Sequence, residues 1–383
     1  MIYQLFLKKS IDCSQLCPYE SILTNNRLIF DKTHSIEHYS EFVCPQNFRN
    51  LADWVYGWPD NVFEEKIEVT TSEHIIAPCL PSGSIIFVKP DDSEKFFHDI
   101  YPYLINKFVL ITAQGDASSP NKFLSYLHDT DSKIIHWFGQ NTDIDSQQTN
   151  KFTSIPIGIN CYEMANGIRY IHQQNSNNTL PSLFGGTDEP SQYSHLLDIT
   201  YNVLNGYSSK RLLLINFQKM TDPTGLRSQL WKVFCRRRFT SAFVECIDKP
   251  NGVNISSLPS IYIRNRQYPF WLSPRGNGLD CHRTWEALYL DTIPIVWNMT
   301  LNPLFVDLPV IVINNYNELT EQFLRTKLNE IAKNKVKNPS FYRFEKLRFS
   351  YWRRMILSKS RYSTTTTRRQ NQCWRAKTVT KTN

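Results

Sequence analysis

The chain has 383 residues, of which 41% are hydrophobic and 20% charged, and this composition excludes a disordered chain and predicts about two domains. The net charge of +8 comes from residues 341–383, which hold twelve Lys or Arg and one acid, so the rest of the chain is not a polycation directed at nucleic acid. No run approaches the ~20 apolar residues of a membrane span. Of the nine scattered cysteines only Cys13 and Cys17 are close, and the absence of a CxxC pair or a Cys/His cluster in the sequence argues against a structural zinc site.

The first 80 residues predict an irregular segment, because polar breaks, prolines and cysteines interrupt every apolar run. Alternating apolar runs and helical patterns follow and predict one α/β domain over residues 81–205. Its predicted helices are one that Ser93 caps and a short one at Lys122–Leu127. Its predicted strands are Ser84–Val88, Phe108–Thr112, Ile134–Phe138 and Ile155–Ile159.

Residues 172–195 are rich in Asn, Ser, Gly and Pro and predict a loop or linker, after which residues 206–340 predict a second α/β domain. Its predicted helices begin at Asp222-Pro223, Asp280 and Glu318, and its predicted strands are Arg211–Ile215, Ile261–Ile263, Ile293–Val296 and Val310–Ile313. The two units predict two doubly wound, Rossmann-type domains that face a cleft. Residues 341–358 predict a closing helix, and residues 359–383, with seven basic residues and no acid, predict a disordered tail.

The most informative segment for function is Ser273–Val296, which predicts a glycine-containing loop, a helix and a strand. Gly276 and Gly278 permit positive φ and a close approach of backbone to a ligand. Arg283, in the first helical turn, offers a permanently charged fork for a phosphate, and Glu286 shares its helix face and can accept bonds from ribose hydroxyls. The alternative interpretation is a capped helix with an Arg–Glu ion pair and no ligand.

This segment resembles the C-terminal signature of exostosin-type glycosyltransferases, and is most similar to the ribitol xylosyltransferase-like branch. The matching positions are Ser273, Pro274, Gly276, Asn277, Gly278, Asp280, Cys281, His282, Arg283, Trp285, Glu286, Ala287, Leu288, Pro294 and Val296. Asp291 stands where glycine is usual, and we expect it to be tolerated because Asp also adopts the left-handed conformation of a helix end.

Weaker similarity extends over about residues 84–355. Similar segments are Phe87–Asp91, Phe108–Asp116, Trp137–Asn141, Lys151–Gly158, Leu214–Arg227 and Phe341–Trp352. Within the second of these, Ala113-Gln114-Gly115 replaces a His-Asn-Ser of the family pattern. We therefore expect the site at that strand to differ in detail.

The resemblance implies a GT-B fold and inverting transfer of a sugar from a UDP-sugar to a hydroxyl of a glycan or glycoprotein acceptor, without a metal cofactor. Fixed positive charge must then stabilise the leaving UDP. The predicted donor-binding residues are Asn216, Arg227, Arg275, Gly276, Asn277, Gly278, His282, Arg283 and Glu286. Asp116, just after a predicted strand, is the candidate base, with a turn aspartate as the alternative interpretation and Asp91 or Glu163 as the next candidates for the base. Arg283 is the second candidate catalytic residue.

Several alternatives stay open. A non-catalytic sugar- or nucleotide-binding protein of the same fold is favoured by the altered Ala113-Gln114-Gly115 stretch, and the tail alone suggests a nucleic-acid binder. The pairs Asp129/Asp131 and Asp143/Asp145 resemble metal-binding DxD motifs, but two-residue patterns are common by chance. The resemblance implies the Golgi; no anchor is visible, and the expected location is cytoplasmic if the N-terminus is complete. The sequence does not indicate the oligomeric state.

Overall fold

The computed structural model describes residues 41–56, 77–145, 148–161, 163–176, 211–236, 242–248, 257–338 and 340–361. These residues form an α/β fold with two sheets of five parallel strands each. The α/β class predicted from the sequence is therefore confirmed. The first sheet is built from strands between residues 54 and 154 and the second from strands between residues 213 and 313, and a C-terminal helix returns from the second half of the chain to the first.

The first sheet has its described strands in sequence order, β1-β2-β3-β4-β5. They are β1 (Trp54–Tyr56), β2 (Ser84–Val88), β3 (Phe108–Thr112), β4 (Ile134–Gly139) and β5 (Phe152–Ser154). Every residue of β2 and β3 is buried, because hydrophobic clusters cover both faces of the sheet, and this explains their uninterrupted apolar sequences. A doubly wound topology, which was predicted for this half, requires a reversal of the strand order. The order of the described strands of the first sheet does not reverse.

Two strand assignments in the first half need correction. Residues 45–56, predicted to be irregular, form helix α1 (Pro45–Asn50) and edge strand β1. Asp53, just before β1, forms hydrogen bonds with the backbone N–H and carbonyl of Ile85 in β2. Ile155–Ile159 is not a strand, because Pro156 has no N–H and the chain turns at Gly158, whose φ is +63°. Strand β5 ends just before it, at Ser154.

The helices of the first half also depart from the sequence in part. The helix predicted from Ser93 starts earlier, as a 3-10 turn at Pro90–Asp92, so Ser93 lies inside it as the start of α2 (Ser93–Lys95). It continues as π-helix to Ile100, and α3 (Ser125–His128) confirms the next predicted helix. Helix α4 (Glu163–Ser176) was not predicted and takes up the start of the 172–195 loop; residues 177–195 lie outside the described residues.

The second sheet has the order β10-β9-β8-β6-β7. Its strands are β6 (Leu213–Ile215), β7 (Val244–Cys246), β8 (Phe270–Leu272), β9 (Ile293–Trp297) and β10 (Ile311–Ile313). The chain builds β7 on one side of β6 and then β8, β9 and β10 on the other, so the strand order reverses between β6 and β8. This reversal is the doubly wound pattern predicted for this half, and ligands of such sheets bind beyond the carboxyl ends of the strands at that point.

The helices of this half are α5 (Leu226–Phe234), α6 (Leu258–Asn265), α7 (His282–Tyr289), α8 (Asn302–Phe305) and α9 (Glu321–Lys337). The predicted strand Ile261–Ile263 is wrong, because it lies in α6, whose Leu258, Tyr262 and Asn265 are buried at helical spacing. Asp222 does not cap α5; it accepts a bond from the backbone N–H of Arg227, while Gly225, with φ of +75°, occupies the cap.

The closing helix predicted over 341–358 begins with a 3-10 turn at Phe344–Leu347 and continues as α10 (Phe349–Lys359). Helix α10 packs on the first sheet at β4, and the backbone N–H of Phe349 donates to the carbonyl of Glu41 at 2.8 Å. Tyr289 of α7 adds a further link, since its hydroxyl joins the N–H of Val43 to the carbonyl of Leu347. Of the predicted tail, residues 362–383 lie outside the described residues.

Candidate functional site

A cavity of about 240 Å³ lies beyond the carboxyl end of β6, at the reversal of the second sheet. We call it the second-sheet cavity. Five parts of the chain supply its polar walls: the residues after β6, Asp248 after β7, the helices α6 and α7, and α4 of the first half. The polar lining residues used below are Asn216, Tyr262, Arg264, Arg283, Glu286 and Glu163.

Arg283 is a buried cation in the wall of this cavity. Its two terminal nitrogens donate to the side-chain oxygen and to the carbonyl of Asn216, the residue that follows β6. Burial lowers the pKa of Arg283, and the nearby Glu286 carboxylate opposes this shift. Since a guanidinium carries five N–H groups, two bonds to Asn216 orient it and leave it capable of binding an anion.

Glu286 lies one turn after Arg283, also buried and also in the cavity wall. One of its carboxylate oxygens accepts a bond of 2.7 Å from the hydroxyl of Tyr262. Burial, followed by the negative charge of Glu286, raises the pKa of Tyr262 well above its ordinary value. Within the described part of the chain no Arg283–Glu286 ion pair occurs, so the alternative of a capped helix with an exposed pair does not describe this site.

Arg227 has a different position from the one predicted. It is buried and lines neither this cavity nor the second one described below. Its guanidinium donates to the carbonyls of Gln218, Pro274 and Arg275, to the hydroxyl of Thr221 and to the sulfur of Cys281. Five contacts match the five N–H groups of a guanidinium, so Arg227 holds the loop before α7 in place and has no donor left for a diphosphate.

The glycine loop of residues 273–281 packs against protein groups. Neither Gly276 nor Gly278 has a positive φ, and the loop residues Arg275, Gly276, Asn277 and Gly278 line neither cavity. A Cβ on Gly278 would lie 2.8 Å from the side-chain nitrogen of Asn141, and one on Gly276 would lie 3.2 Å from Arg227. The absence of a side chain at these glycines therefore makes room for the side chains of Asn141 and Arg227. The sequence predicted instead that it would allow a ligand to approach the backbone.

Asp280 and Asn141 join the loop to the first half of the molecule. The fully buried carboxylate of Asp280 accepts bonds from the backbone N–H of Ile157 at 2.7 Å, from Cys281 and from the Trp285 indole, so it is not a helix cap. Burial raises the pKa of Asp280 to about 6. Asn141 accepts a bond from the backbone N–H of Asp280 and donates one to the carbonyl of Gly115.

A second cavity of about 360 Å³, the first-sheet cavity, lies beyond the carboxyl ends of β2 and β3. Asp116, four residues after β3, is exposed at its rim, and Asp91 forms an ion pair with Lys89 at 3.1 Å in its wall. His282, the first residue of α7, also lines it, and its Nδ1 donates to the carbonyl of Gly158 at 2.7 Å. The structure thus brings together Asp116 and His282.

Adjacent residues of α7 serve different cavities, because His282 lines the first-sheet cavity and Arg283 the second-sheet cavity. The first turn of this helix therefore separates the two. Of the predicted site residues, Asn216, Arg283 and Glu286 meet in one cavity and Asp116 and His282 in the other.

Two residues of the second-sheet cavity, Tyr262 and Glu163, were not predicted to lie at the donor site, because tertiary packing brings them there. Tyr262 lies in a segment predicted as a strand, although Leu258, Tyr262 and Asn265 recur at helical spacing. Glu163 reaches the second-sheet cavity because α4 packs on α6, where the ring of Tyr262 covers Gly167. No local pattern marks Glu163 as a residue of the other half's cavity.

Two further sequence candidates, His136 and the Asp129/Asp131 pair, have contacts within the fold and line neither cavity. His136, predicted to be a satisfied core histidine, is buried with its Nε2 2.8 Å from the Thr153 hydroxyl, and burial lowers the pKa of His136 to about 4. Asp129 accepts a bond from the backbone N–H of Asp131 and closes a local turn. Among the described residues, no cluster of three His, Cys, Asp or Glu side chains has the arrangement of a metal site.

No protein-family model matches this chain, and no curated protein matches it. In the portion of the chain described by the structure, none of the helices has the length and apolarity needed to cross a membrane.

Proposed function

We propose that this protein is an inverting glycosyltransferase of GT-B type that transfers a sugar from a UDP-sugar to a hydroxyl of a glycan or glycoconjugate. The second-sheet cavity holds the UDP moiety, and the first-sheet cavity holds the acceptor. One observation carries the proposal: a buried arginine and a buried glutamate one turn apart face the cavity at the reversal of a doubly wound sheet. This is the position where such sheets bind nucleotides.

The proposed roles follow from the contacts. Arg283, oriented by Asn216, approaches the diphosphate, and Glu286, oriented by the Tyr262 hydroxyl, accepts bonds from the ribose hydroxyls. Arg264, in the same wall, is a further cation near the nucleotide. The resemblance of Ser273–Val296 to exostosin-type enzymes supports the same assignment.

The transfer step balances without a further reactant. The acceptor hydroxyl oxygen forms a bond to the anomeric carbon while the bond from that carbon to the β-phosphate oxygen breaks, and UDP leaves with the electron pair. The proton of the hydroxyl passes to Asp116, at the rim of the first-sheet cavity. The positive charge of Arg283 stabilises the negative charge that develops on the leaving diphosphate.

UDP affinity tests the donor site. We expect isothermal titration calorimetry to show UDP binding that is unchanged by EDTA. Arg283→Ala should weaken UDP binding and lower kcat, and Glu286→Gln should mainly weaken binding, in each case by about tenfold or more, because bonds to charged groups contribute roughly 1.5–3 kcal/mol. Collapse of affinity on chelation would refute the metal-free assignment.

Arg266→Ala is a matched control for Arg283→Ala. Arg266 is also a buried arginine near α7, with Nε donating to the Leu290 carbonyl, and burial also lowers its pKa, but it lines neither cavity. Both substitutions should lower the melting temperature, whereas only Arg283→Ala should weaken UDP binding. Equal UDP affinity in the two variants and the wild type would overturn the proposal.

A non-catalytic binding protein of the same fold is the second candidate. It is favoured by Arg227, a predicted phosphate ligand whose donors are all used within the protein. Mass spectrometry of a UDP-sugar incubated with the protein separates the two. Release of UDP together with a glycosylated product from a glycan mixture supports the enzyme, and an intact donor that binds without reacting supports the binding protein.

The resemblance also suggests a place in the Golgi lumen. The disulfides Cys44–Cys161 and Cys235–Cys246 support an oxidising compartment, because disulfides are rare in proteins of the cytosol. Fluorescence localisation of the full-length protein tests this proposal, with the fluorescent tag placed at the N-terminus in one experiment and at the C-terminus in another. A signal confined to the cytosol would contradict it.

A further inference from the structure

The first-sheet cavity is lined by two glutamines that have side-chain amide atoms without a hydrogen-bond partner among the described residues. Gln46, in the first turn of α1, is 3% exposed, and its side-chain oxygen is buried without a hydrogen-bond partner among the described residues. Gln114, just after β3, has both its amide oxygen and its amide nitrogen buried without a partner in the same part of the chain. Both residues line the cavity.

Unpartnered amide atoms are unusual in a folded protein, because buried polar groups are nearly always hydrogen-bonded. The backbone of Gln114 is held by its own contacts: its φ is +69°, and its N–H donates to the side chain of Gln140 at 2.9 Å. The terminal torsion of a glutamine is broad, so a small rotation turns each amide toward a molecule in the cavity. The arrangement points to a ligand that supplies both donors and acceptors.

The charges of the cavity indicate the class of that ligand. Lys89 is already paired with Asp91, and Asp116 adds a second carboxylate at the rim. No arginine is among the described residues that line this cavity, and its lysine already pairs with Asp91, so a phosphate finds here no forked N–H donor of the kind that Arg283 offers in the second-sheet cavity. A neutral polyol suits this wall, because each of its hydroxyls donates and accepts, as does an amide.

We propose that Gln46 and Gln114 determine acceptor specificity by binding the hydroxyl groups of a neutral sugar or sugar alcohol in the first-sheet cavity. This inference rests on the proposed function, which places the acceptor there. It is particular to this chain, since Gln46 precedes the segments that resemble exostosin-type enzymes and Gln114 stands in the stretch that departs from their pattern.

Saturation-transfer NMR with UDP present tests the proposal. The neutral probes are methyl β-D-glucopyranoside, methyl β-D-galactopyranoside and D-mannitol, and inorganic phosphate is the anionic competitor. At least one neutral probe should receive saturation from the wild-type protein, and phosphate should not displace it. Gln46→Leu and Gln114→Leu, which keep side-chain size, should each weaken probe binding by about tenfold.

Gln322→Leu is the matched control, because Gln322 is an exposed glutamine of α9 that lines neither cavity. It should leave probe binding unchanged, and all three variants should keep the UDP affinity of the wild type. No neutral probe binding to the wild type, equal binding in all variants, or displacement by phosphate would each overturn the inference. Loss of UDP binding by the wild type would instead refute the proposed function, so the two failures are distinguishable.

Discussion

Replacing Gly278 by alanine should disrupt the junction between the two halves of the molecule. The added Cβ would lie 2.8 Å from the side-chain nitrogen and 2.9 Å from the side-chain oxygen of Asn141, and Cβ atoms do not approach polar atoms so closely. Asn141 is fully buried and both ends of its amide are bonded, to the N–H of Asp280 and to the carbonyl of Gly115. The amide must therefore move and lose these bonds.

The expected loss can be worked out from those two bonds. Loss of the two bonds leaves the buried N–H of Asp280 and the partly buried carbonyl of Gly115 without a partner, at about 1–3 kcal/mol each, so Gly278→Ala should lower the free energy of unfolding by about 2–6 kcal/mol. Gly225→Ala is the control: Gly225 has a φ of +75° but open space around its Cα, so it should cost only the left-handed conformation, about 1–2 kcal/mol.

A double-mutant cycle isolates the contact. Asn141→Gly removes the obstructing amide at a position whose φ of +51° glycine tolerates, and it loses the same two bonds. Adding Gly278→Ala to Asn141→Gly should then cost almost nothing further. Thermal and denaturant unfolding of the four proteins measures this, and strictly additive losses would show that the alanine acts elsewhere and refute the reasoning.

Three further predictions concern groups outside the cavities. Arg227→Lys should lower the melting temperature and weaken UDP binding, since an ammonium cannot make the five loop contacts; unchanged UDP titrations would contradict its positioning role. Since the pKa of His136 is lowered to about 4, the free energy of unfolding should fall by about 3 kcal/mol as the pH falls from about 6.5 to 4. In a pH series of unfolding curves, His136→Gln should remove this fall. Asp280, with its pKa raised to about 6, should act oppositely: relative to Asp280→Asn, the wild type should lose about 3 kcal/mol as the pH rises from 4 to 7.

The elements predicted most accurately are those whose local apolar pattern matches their burial in the folded protein. Strands β2, β3 and β9 are continuous apolar runs because both faces of each sheet are covered. The three-residue strands β1, β5, β7 and β8 were not predicted, and their pairing depends on neighbours far along the chain. Strands β6 and β10 are equally short but were predicted, because they end the apolar runs Arg211–Ile215 and Val310–Ile313. In α6, the β-branched residues favoured a strand, but packing on α4 made it a helix.

The candidate site shows the same division. The position of Asn216 beyond a strand and the shared face of Arg283 and Glu286 follow from local spacing, and the structure places all three in one cavity. The left-handed φ of +56° at Asp291, also expected, follows from its place at a helix end. The role of Arg227 could not be predicted, because three of its five partners are backbone carbonyls. Every residue has a backbone carbonyl, so the sequence does not indicate which of them an arginine contacts.

The loop before α7 couples the two cavities mechanically. Asn141 joins the carbonyl of Gly115, in the wall of the first-sheet cavity, to the N–H of Asp280, and His282 bonds to the first half two residues later. Arg283, directly after His282, lines the other cavity. The hydroxyl that attacks and the diphosphate that leaves must be aligned within a fraction of an ångström. In the proposed reaction, therefore, a substitution in this chain of bonds should lower kcat more than it weakens the binding of either substrate alone, since each cavity keeps its own wall while their relative position changes.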